Sequence, residues 1–123
     1  MRILLVEDVE DNRALARFLL ESQGVDVDEA CTGREALEAL GKRQPDLILM
    51  DLSLPDMDGW DATRSILTTP EWRNIPIVAL TAHAMAGDRE RVMAHGFRGY
   101  MSKPIDVSTF CDQVLSFLPS ASV

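Results

Sequence analysis

The chain has 123 residues, 46% of them hydrophobic, which suits one globular domain with a core of its own. Twenty acidic residues against 12 basic ones give a net charge of −8, which disfavours nucleic acid or an anionic membrane surface as a partner. No targeting segment or apolar run of ~20 residues is visible, and the two cysteines, Cys31 and Cys111, lack metal-site spacing. We therefore expect a reduced, cytoplasmic protein without membrane insertion.

Short apolar runs alternate with segments of helical periodicity along the chain. The runs are predicted strands: Ile3–Val6, Val25–Ala30, Leu47–Met50, Ile75–Leu80 and Gly99–Met101. The second run alternates valine with aspartate, which is typical of an edge strand, whereas continuously apolar runs are typical of central parallel strands. The alternation of strand and helix, (βα)5, predicts an α/β fold with a parallel five-stranded sheet covered by helices on both faces.

In the segments of helical periodicity, the sequence predicts an apolar face or an N-terminal capping residue. In the first, the spacing places Leu15, Phe18, Leu19 and Ser22 on one face. The second begins with Thr32 as the predicted N-cap and Glu35 at the capping-box position. The last is predicted over Asp106–Leu118, and its apolar residues at helical spacing are Val107, Phe110, Val114 and Phe117.

Polar residues directly follow the apolar runs: Glu7 and Asp8, then Asp51, then Thr81, then Ser102 and Lys103. Because the carboxyl ends of parallel strands lie along one edge, where ligands bind in open α/β sheets, these residues are predicted to converge. Three neighbouring carboxylates repel unless a cation neutralises them, and oxygen ligands without His or Cys favour Mg2+. Asp51 is then a candidate nucleophile toward phosphorus, with Lys103 and the Thr81 hydroxyl assisting.

Four motifs, "VEDVEDN", "ILMDLSLPDMDG", "ALTAHAM" and "GYMSKPI", occur in this order over nearly the whole chain. Together they resemble the receiver domain of bacterial two-component response regulators. The resemblance implies a flavodoxin-like, doubly wound sheet with strand order 2-1-3-4-5. It also implies a receiver domain over residues 1–119, followed by a short tail at 120–123 and no output domain.

The resemblance further implies a phosphorylation site and its metal ligands. Asp51 corresponds to the phosphoacceptor and Asp8 to a direct Mg2+ ligand. Glu7 would act through water, and the backbone carbonyl of Ser53 would be the third protein ligand. Glu7 departs from the family pattern, because many members carry aspartate there.

A conformational switch is the other feature that the resemblance implies. Thr81 and Tyr100 correspond to the switch pair, and Lys103 to the phosphate-binding lysine. The Lys103–Pro104 peptide bond is expected to be cis.

The function implied is a signalling switch rather than an enzyme with a separate substrate. A sensor histidine kinase or a histidine phosphotransfer protein would donate a phosphoryl group from phosphohistidine to Asp51. The surface of the fourth helix, fifth strand and fifth helix would then change, and the protein would bind a downstream protein that the sequence does not identify or pass the phosphoryl group on along a relay. Two alternatives stay open: the receiver of a hybrid histidine kinase, and a pseudo-receiver that is not phosphorylated.

Two other classes fit less well. A phosphatase of the haloacid dehalogenase type would have an acid two residues after the nucleophile, where Ser53 stands. A flavin- or nucleotide-binding module would have a glycine-rich or hydroxyl-rich phosphate loop after the first strand, where the acidic "EDVEDN" stands instead.

Overall fold

The computed structural model describes residues 1–52, 59–81 and 88–118. These residues form five strands, which are β1 Arg2–Val6, β2 Asp26–Ala30, β3 Leu47–Asp51, β4 Ile77–Thr81 and β5 Gly99–Ser102. Five helices alternate with them: α1 Glu10–Glu21, α2 Gly33–Lys42, α3 Gly59–Leu67, α4 Asp88–Ala94 and α5 Phe110–Ser116. The predicted (βα)5 order is confirmed.

All strand pairs are parallel, and the sheet order is β2-β1-β3-β4-β5. The second strand lies at an edge, as its alternating sequence predicted. The interior strand β1 pairs with β2 on one side and with β3 on the other, so the chain changes direction across the sheet at the β1–β3 pair. Ligand sites in doubly wound folds lie at the carboxyl ends of the strands at such a point.

The helices bury the two faces of the sheet in two separate apolar cores. Buried side chains of α2, α3 and α4 cover one face, and those of α1 and α5 cover the other. Successive residues of a strand alternate between these cores, as the pleat requires: Ile3 and Leu5 face α1 and α5, while Leu4 and Val6 face the other side. This double burial explains the continuously apolar sequence of the central strands.

The predicted apolar face of α1 was wrong. The buried residues of the helix are Ala16 and Leu20, with Leu19 packed beside them, whereas Phe18 is 69% exposed. Leucines on both sides of the helix made two faces similar in hydrophobicity. The small side chain of Ala16 marks the face that lies against the sheet.

The fifth helix begins later than predicted. Residues 107–109 form a turn, in which Asp106 Oδ1 accepts hydrogen bonds from Ser108 N (3.0 Å) and Ser108 Oγ (2.7 Å). An aspartate that binds the backbone two residues ahead favours a turn over a helix. Val107, expected on the buried face, is 59% exposed, whereas Phe110 and Val114 are buried as predicted.

The predicted start of α2 is confirmed. Thr32 Oγ1 accepts a hydrogen bond from Glu35 N at 3.0 Å, and Glu35 Oε1 accepts one from Cys31 N at 3.0 Å. The Glu35 side chain thus reaches one residue beyond the usual capping box. Cys31 and Cys111 are free thiols, each partly buried.

Among the described residues, no helix has both the length and the apolar character needed to span a membrane.

Candidate functional site

The carboxyl ends of β1 and β3 bring three carboxylates together. Val6 lies opposite Met50, so Glu7 and Asp51 emerge side by side from the central strands. Glu7 and Asp51 are only 1% and 3% exposed, whereas Asp8 is exposed. One carboxylate oxygen of each residue lies within 4.8 Å of the others. The predicted convergence of these acids is therefore present in the structure.

Lys103 reaches this cluster from the end of β5. Its backbone N–H donates to the Thr81 carbonyl at 2.8 Å, which continues the β4–β5 ladder by one residue. Its Nζ lies 2.7 Å from Glu7 Oε1 and 3.0 Å from Asp51 Oδ2. The Lys103–Pro104 peptide bond is cis, as the sequence resemblance implied.

Burial and close contact shift the pKa of both Glu7 and Lys103. Burial raises the pKa of Glu7, and the hydrogen bond to Asp51 raises it further, against smaller opposing effects of Lys103 and of the Val9 N–H. Burial alone would lower the pKa of Lys103, but the hydrogen bonds to Glu7 and Asp51, together with the negative charges of these carboxylates, raise it. Lys103 is therefore a permanent cation at neutral pH.

The donor set and charge of the cluster suit a hard divalent cation. The three ionised carboxylates carry three negative charges. Among the described residues, one ammonium, that of Lys103, lies within ion-pair distance of them, so the cluster keeps a net charge of two negative units. All candidate ligand atoms are oxygens, as Mg2+ prefers. The carboxylates of Glu7, Asp8 and Asp51 together could hold such an ion. Both oxygens of Glu7 already contact protein groups, Lys103 Nζ and the Val9 N–H, which suits an indirect role. Ser53 lies outside the described residues.

Thr81 and Tyr100 lie on neighbouring strands beside the cluster. Thr81 ends β4, is 7% exposed and pairs with Ser102. Tyr100 lies opposite Ala79, so strand alternation directs Tyr100, Ala79 and Thr81 to the same face of the sheet. Tyr100 is partly buried against the core beneath α4. Their predicted roles as a switch pair stay a prediction.

Two residues that support the site were missed at the sequence level. Gly59 begins α3 against the backbone that carries Asp51, and a Cβ there would lie 2.4 Å from the Asp51 carbonyl oxygen. Arg13 Nη1 donates a hydrogen bond to the Glu7 carbonyl at 3.0 Å. The glycine that ends "LPDMDG" was a visible signal. Nothing in the helical pattern of α1 distinguished Arg13 from a solvent-facing arginine.

Comparisons with known proteins agree with this geometry. The family model described as response regulator receiver domain matches residues 3–115. The polar-differentiation response regulators DivK of Brucella ovis and Brucella melitensis are each 41% identical over 119 residues, which is 97% of both chains.

Solved structures show the same relationship. Chemotaxis protein CheY4 of Vibrio cholerae has a TM-score of 0.89 at 26% identity, covering 95% of this chain and 98% of that one. The receiver domain of the sensor histidine kinase PA1611 of Pseudomonas aeruginosa has a TM-score of 0.85 at 36% identity, covering 94% and 95%. That structure has a magnesium ion coordinated in its active site cleft. Sequence and fold agree over almost the whole chain, which belongs to the receiver domain family of response regulators.

Proposed function

We propose that this receiver is a phosphorylation switch of a two-component phosphorelay, with Asp51 as the phosphoacceptor. The observation that carries the proposal is the position of Asp51 at the end of β3, hydrogen-bonded to Lys103 Nζ and within 4.8 Å of Glu7 and Asp8. A nucleophile beside one fixed cation and a cation-binding cluster is the arrangement that phosphoryl transfer to a carboxylate requires. The family membership supports the same chemistry.

In the proposed step, a carboxylate oxygen of Asp51 attacks the phosphorus of a phosphohistidine. The new P–O bond forms as the P–N bond breaks, and the leaving imidazole takes up a proton. Lys103 Nζ, already 3.0 Å from Asp51 Oδ2, can follow the phosphoryl oxygens as charge builds on them. Water later attacks the phosphorus, releasing phosphate and restoring the Asp51 carboxylate. The protein would catalyse only its own modification, so it is not an enzyme with a separate substrate.

Asp8 and Asp51 would hold Mg2+ directly, with Glu7 acting through water and the Ser53 carbonyl completing the protein ligands. The ion would neutralise charge on the phosphoryl oxygens when bound. The buried carboxylates and the exposed Asp8 support this assignment, as does the magnesium ion in the related PA1611 receiver.

The switch would act through Thr81 and Tyr100. A phosphoryl group on Asp51 would draw the Thr81 hydroxyl toward its oxygens, and Tyr100 would follow into the vacated space. Tyr100 lines a cavity between α4, β5 and α5, together with Met93 and Phe117. The position of Tyr100 in this cavity supports the proposal, because a movement of its side chain would change the surface that α4, β5 and α5 present to a partner protein.

The donor in this proposal is a sensor histidine kinase or a histidine phosphotransfer protein, and the recipient of the signal is a downstream protein. A cytoplasmic location goes with these partners. Family membership supports the classes of partner and leaves their identity to experiment.

Intact mass after incubation with acetyl phosphate, with Mg2+ or with a chelator, tests the proposal. We expect one Mg2+-dependent, hydroxylamine-labile phosphoryl adduct, absent from Asp51→Asn. Asp112→Asn, which removes the same charge from an exposed position of α5, should keep the adduct. No adduct on the folded wild-type protein under any condition would favour the pseudo-receiver alternative.

A further inference from the structure

The side chain of Arg13 links the acidic turn after β1 to the edge strand β2. Its Nη1 donates to the Glu7 carbonyl at 3.0 Å, and its Nε donates to Glu29 Oε1 at 3.0 Å. Only 15% of the side chain is exposed, although it belongs to the first turn of a surface helix. The planar guanidinium therefore connects two fixed points with two separate N–H groups.

The peptide that Arg13 holds lies between two of the three clustered carboxylates. The Glu7 carbonyl belongs to the peptide bond that leads into Asp8, so its orientation sets where the Asp8 side chain begins. On either side, Glu7 N donates to the Ala30 carbonyl at 3.0 Å and Val9 N donates to Glu7 Oε2 at 3.1 Å. Arg13 thus holds the carbonyl of a turn in which the N–H groups of Glu7 and Val9 are already hydrogen-bonded.

We propose that Arg13 is a positioning residue for the cation site, holding the Glu7–Asp8 peptide so that Asp8 and Asp51 face one divalent ion. The inference rests on the proposed function, since it concerns the same cation. Arg13 touches no reacting group and would act only through the turn. Groups that orient metal ligands from behind commonly contribute about 10- to 100-fold to metal affinity.

Arg17 provides a control that the chain itself supplies. It lies one turn further along α1 and pairs with the same Glu29, and also with Glu21, but the hydrogen bonds of its guanidinium do not include Glu7. Replacing either arginine by glutamine removes one positive charge and one partner of Glu29. Only the Arg13 substitution releases the Glu7–Asp8 peptide.

For Arg13→Gln, the loss of charge and the loss of positioning predict opposite changes in the Kd for Mg2+. Removing a cation from the neighbourhood of an acidic site strengthens the attraction for Mg2+, so an effect of charge alone would lower the Kd. Loss of the hydrogen bond to the Glu7 carbonyl would misplace Asp8 and raise the Kd. The direction of the change therefore separates the two explanations.

The test is Mg2+ binding by isothermal titration calorimetry on wild type, Arg13→Gln, Arg13→Lys and Arg17→Gln, with thermal unfolding followed without metal. We expect Arg13→Gln to raise the Kd about tenfold. Arg13→Lys, which keeps the charge but lacks the two-pronged geometry, should also raise it. Arg17→Gln should stay within about twofold of wild type. Phosphoryl uptake at saturating Mg2+ should recover in both Arg13 variants.

Each result has one meaning. Folded Arg13 variants that bind Mg2+ as tightly as wild type, or as Arg17→Gln, would overturn the positioning role while leaving the proposed function intact. Uptake that stays low in the Arg13 variants at saturating Mg2+ would also overturn it, because the residue would then act beyond the cation. A wild-type protein that neither binds Mg2+ nor takes up a phosphoryl group would overturn the proposed function and this inference with it.

Discussion

At the scale of single residues, Lys103 holds together two buried acids that would otherwise repel. Its Nζ contacts Glu7 Oε1 and Asp51 Oδ2 at once, while the third acid, Asp8, remains exposed. A buried carboxylate that has lost its cationic partner is costly, so the ammonium contributes to folding as well as to chemistry. The same contact places a cation beside the Asp51 carboxylate that we propose becomes phosphorylated.

Glu29 gives a pH-dependent prediction at the same scale. Its hydrogen bond from Arg17, with further help from Arg13, lowers the pKa of Glu29 below its usual value of 4.5 against the raising effect of burial. A lowered folded-state pKa means that the stabilisation is complete above about pH 4.5 and is lost as the pH falls through the folded value. We expect Glu29→Gln to lower the urea midpoint at pH 7, with the difference from wild type shrinking toward pH 3.

Glu38→Gln is the matched control, because it removes the same charge from an exposed position of α2. A difference for Glu29→Gln that is as large at pH 3 as at pH 7 would contradict the ion-pair origin of the effect.

At the scale of elements, the start of α3 is pressed against the end of β3. Gly59 N donates to the Leu52 carbonyl at 3.2 Å, and a Cβ on Gly59 would lie 2.4 Å from the Asp51 carbonyl oxygen and 2.8 Å from the Leu52 Cα. Both atoms belong to the backbone and cannot rotate away. The missing side chain of Gly59 thus allows the helix to buttress the strand end that carries the phosphoacceptor candidate.

Gly59→Ala should therefore destabilise the protein by about 1–3 kcal/mol, the usual cost of overpacking a tight site. Gly41→Ala is the control, since a Cβ at this position of α2 meets nothing within 4 Å. Alanine is the better helix former, so Gly41→Ala should raise the free energy of unfolding by about 0.5–1 kcal/mol. Urea unfolding measures both. Equal effects of the two substitutions would show that the contact with Asp51 has no energetic importance.

At the scale of the whole molecule, the fold and the meeting of the acids could be predicted from the sequence. Strand ends in a parallel sheet share an edge, so the order of the apolar runs was enough to bring Glu7, Asp51 and Lys103 together. The faces of α1 and the start of α5 could not be predicted in the same way. In α1, two faces are similarly apolar, and only packing against the sheet selects the one that carries Ala16 and Leu20. In α5, the hydrogen bond from Ser108 N to Asp106 favours a turn, which delays the start of the helix.

The detailed geometry of the site depends on side-chain and backbone contacts that the pattern of apolar and polar residues in the sequence does not predict. The Glu7 side chain contacts Lys103 Nζ through Oε1, while its Oε2 accepts the Val9 N–H. Arg13 and Gly59 support the site through backbone carbonyls, whose positions follow only from the folded chain.

Mg2+ should stabilise the whole fold, because the proposed ligands are assembled only in the folded chain. At a free Mg2+ concentration of 100 times its Kd, we expect the free energy of unfolding to rise by about 2.7 kcal/mol. Asp8→Asn should lose most of this gain. Thermal or urea unfolding, with Mg2+ or with EDTA, measures this rise in the free energy of unfolding. An equal rise in Asp8→Asn would show that Mg2+ binds at a site that does not include Asp8.

The most direct measurement is to identify the phosphorylated residue in the wild-type protein. Borohydride reduces an aspartyl phosphate to homoserine, and peptide mass spectrometry then locates the converted residue. After treatment with acetyl phosphate and Mg2+, we expect homoserine at position 51 and aspartate unchanged at position 8. Homoserine at position 8, or a stable phosphoryl adduct that borohydride does not convert, would contradict Asp51 as the phosphoacceptor.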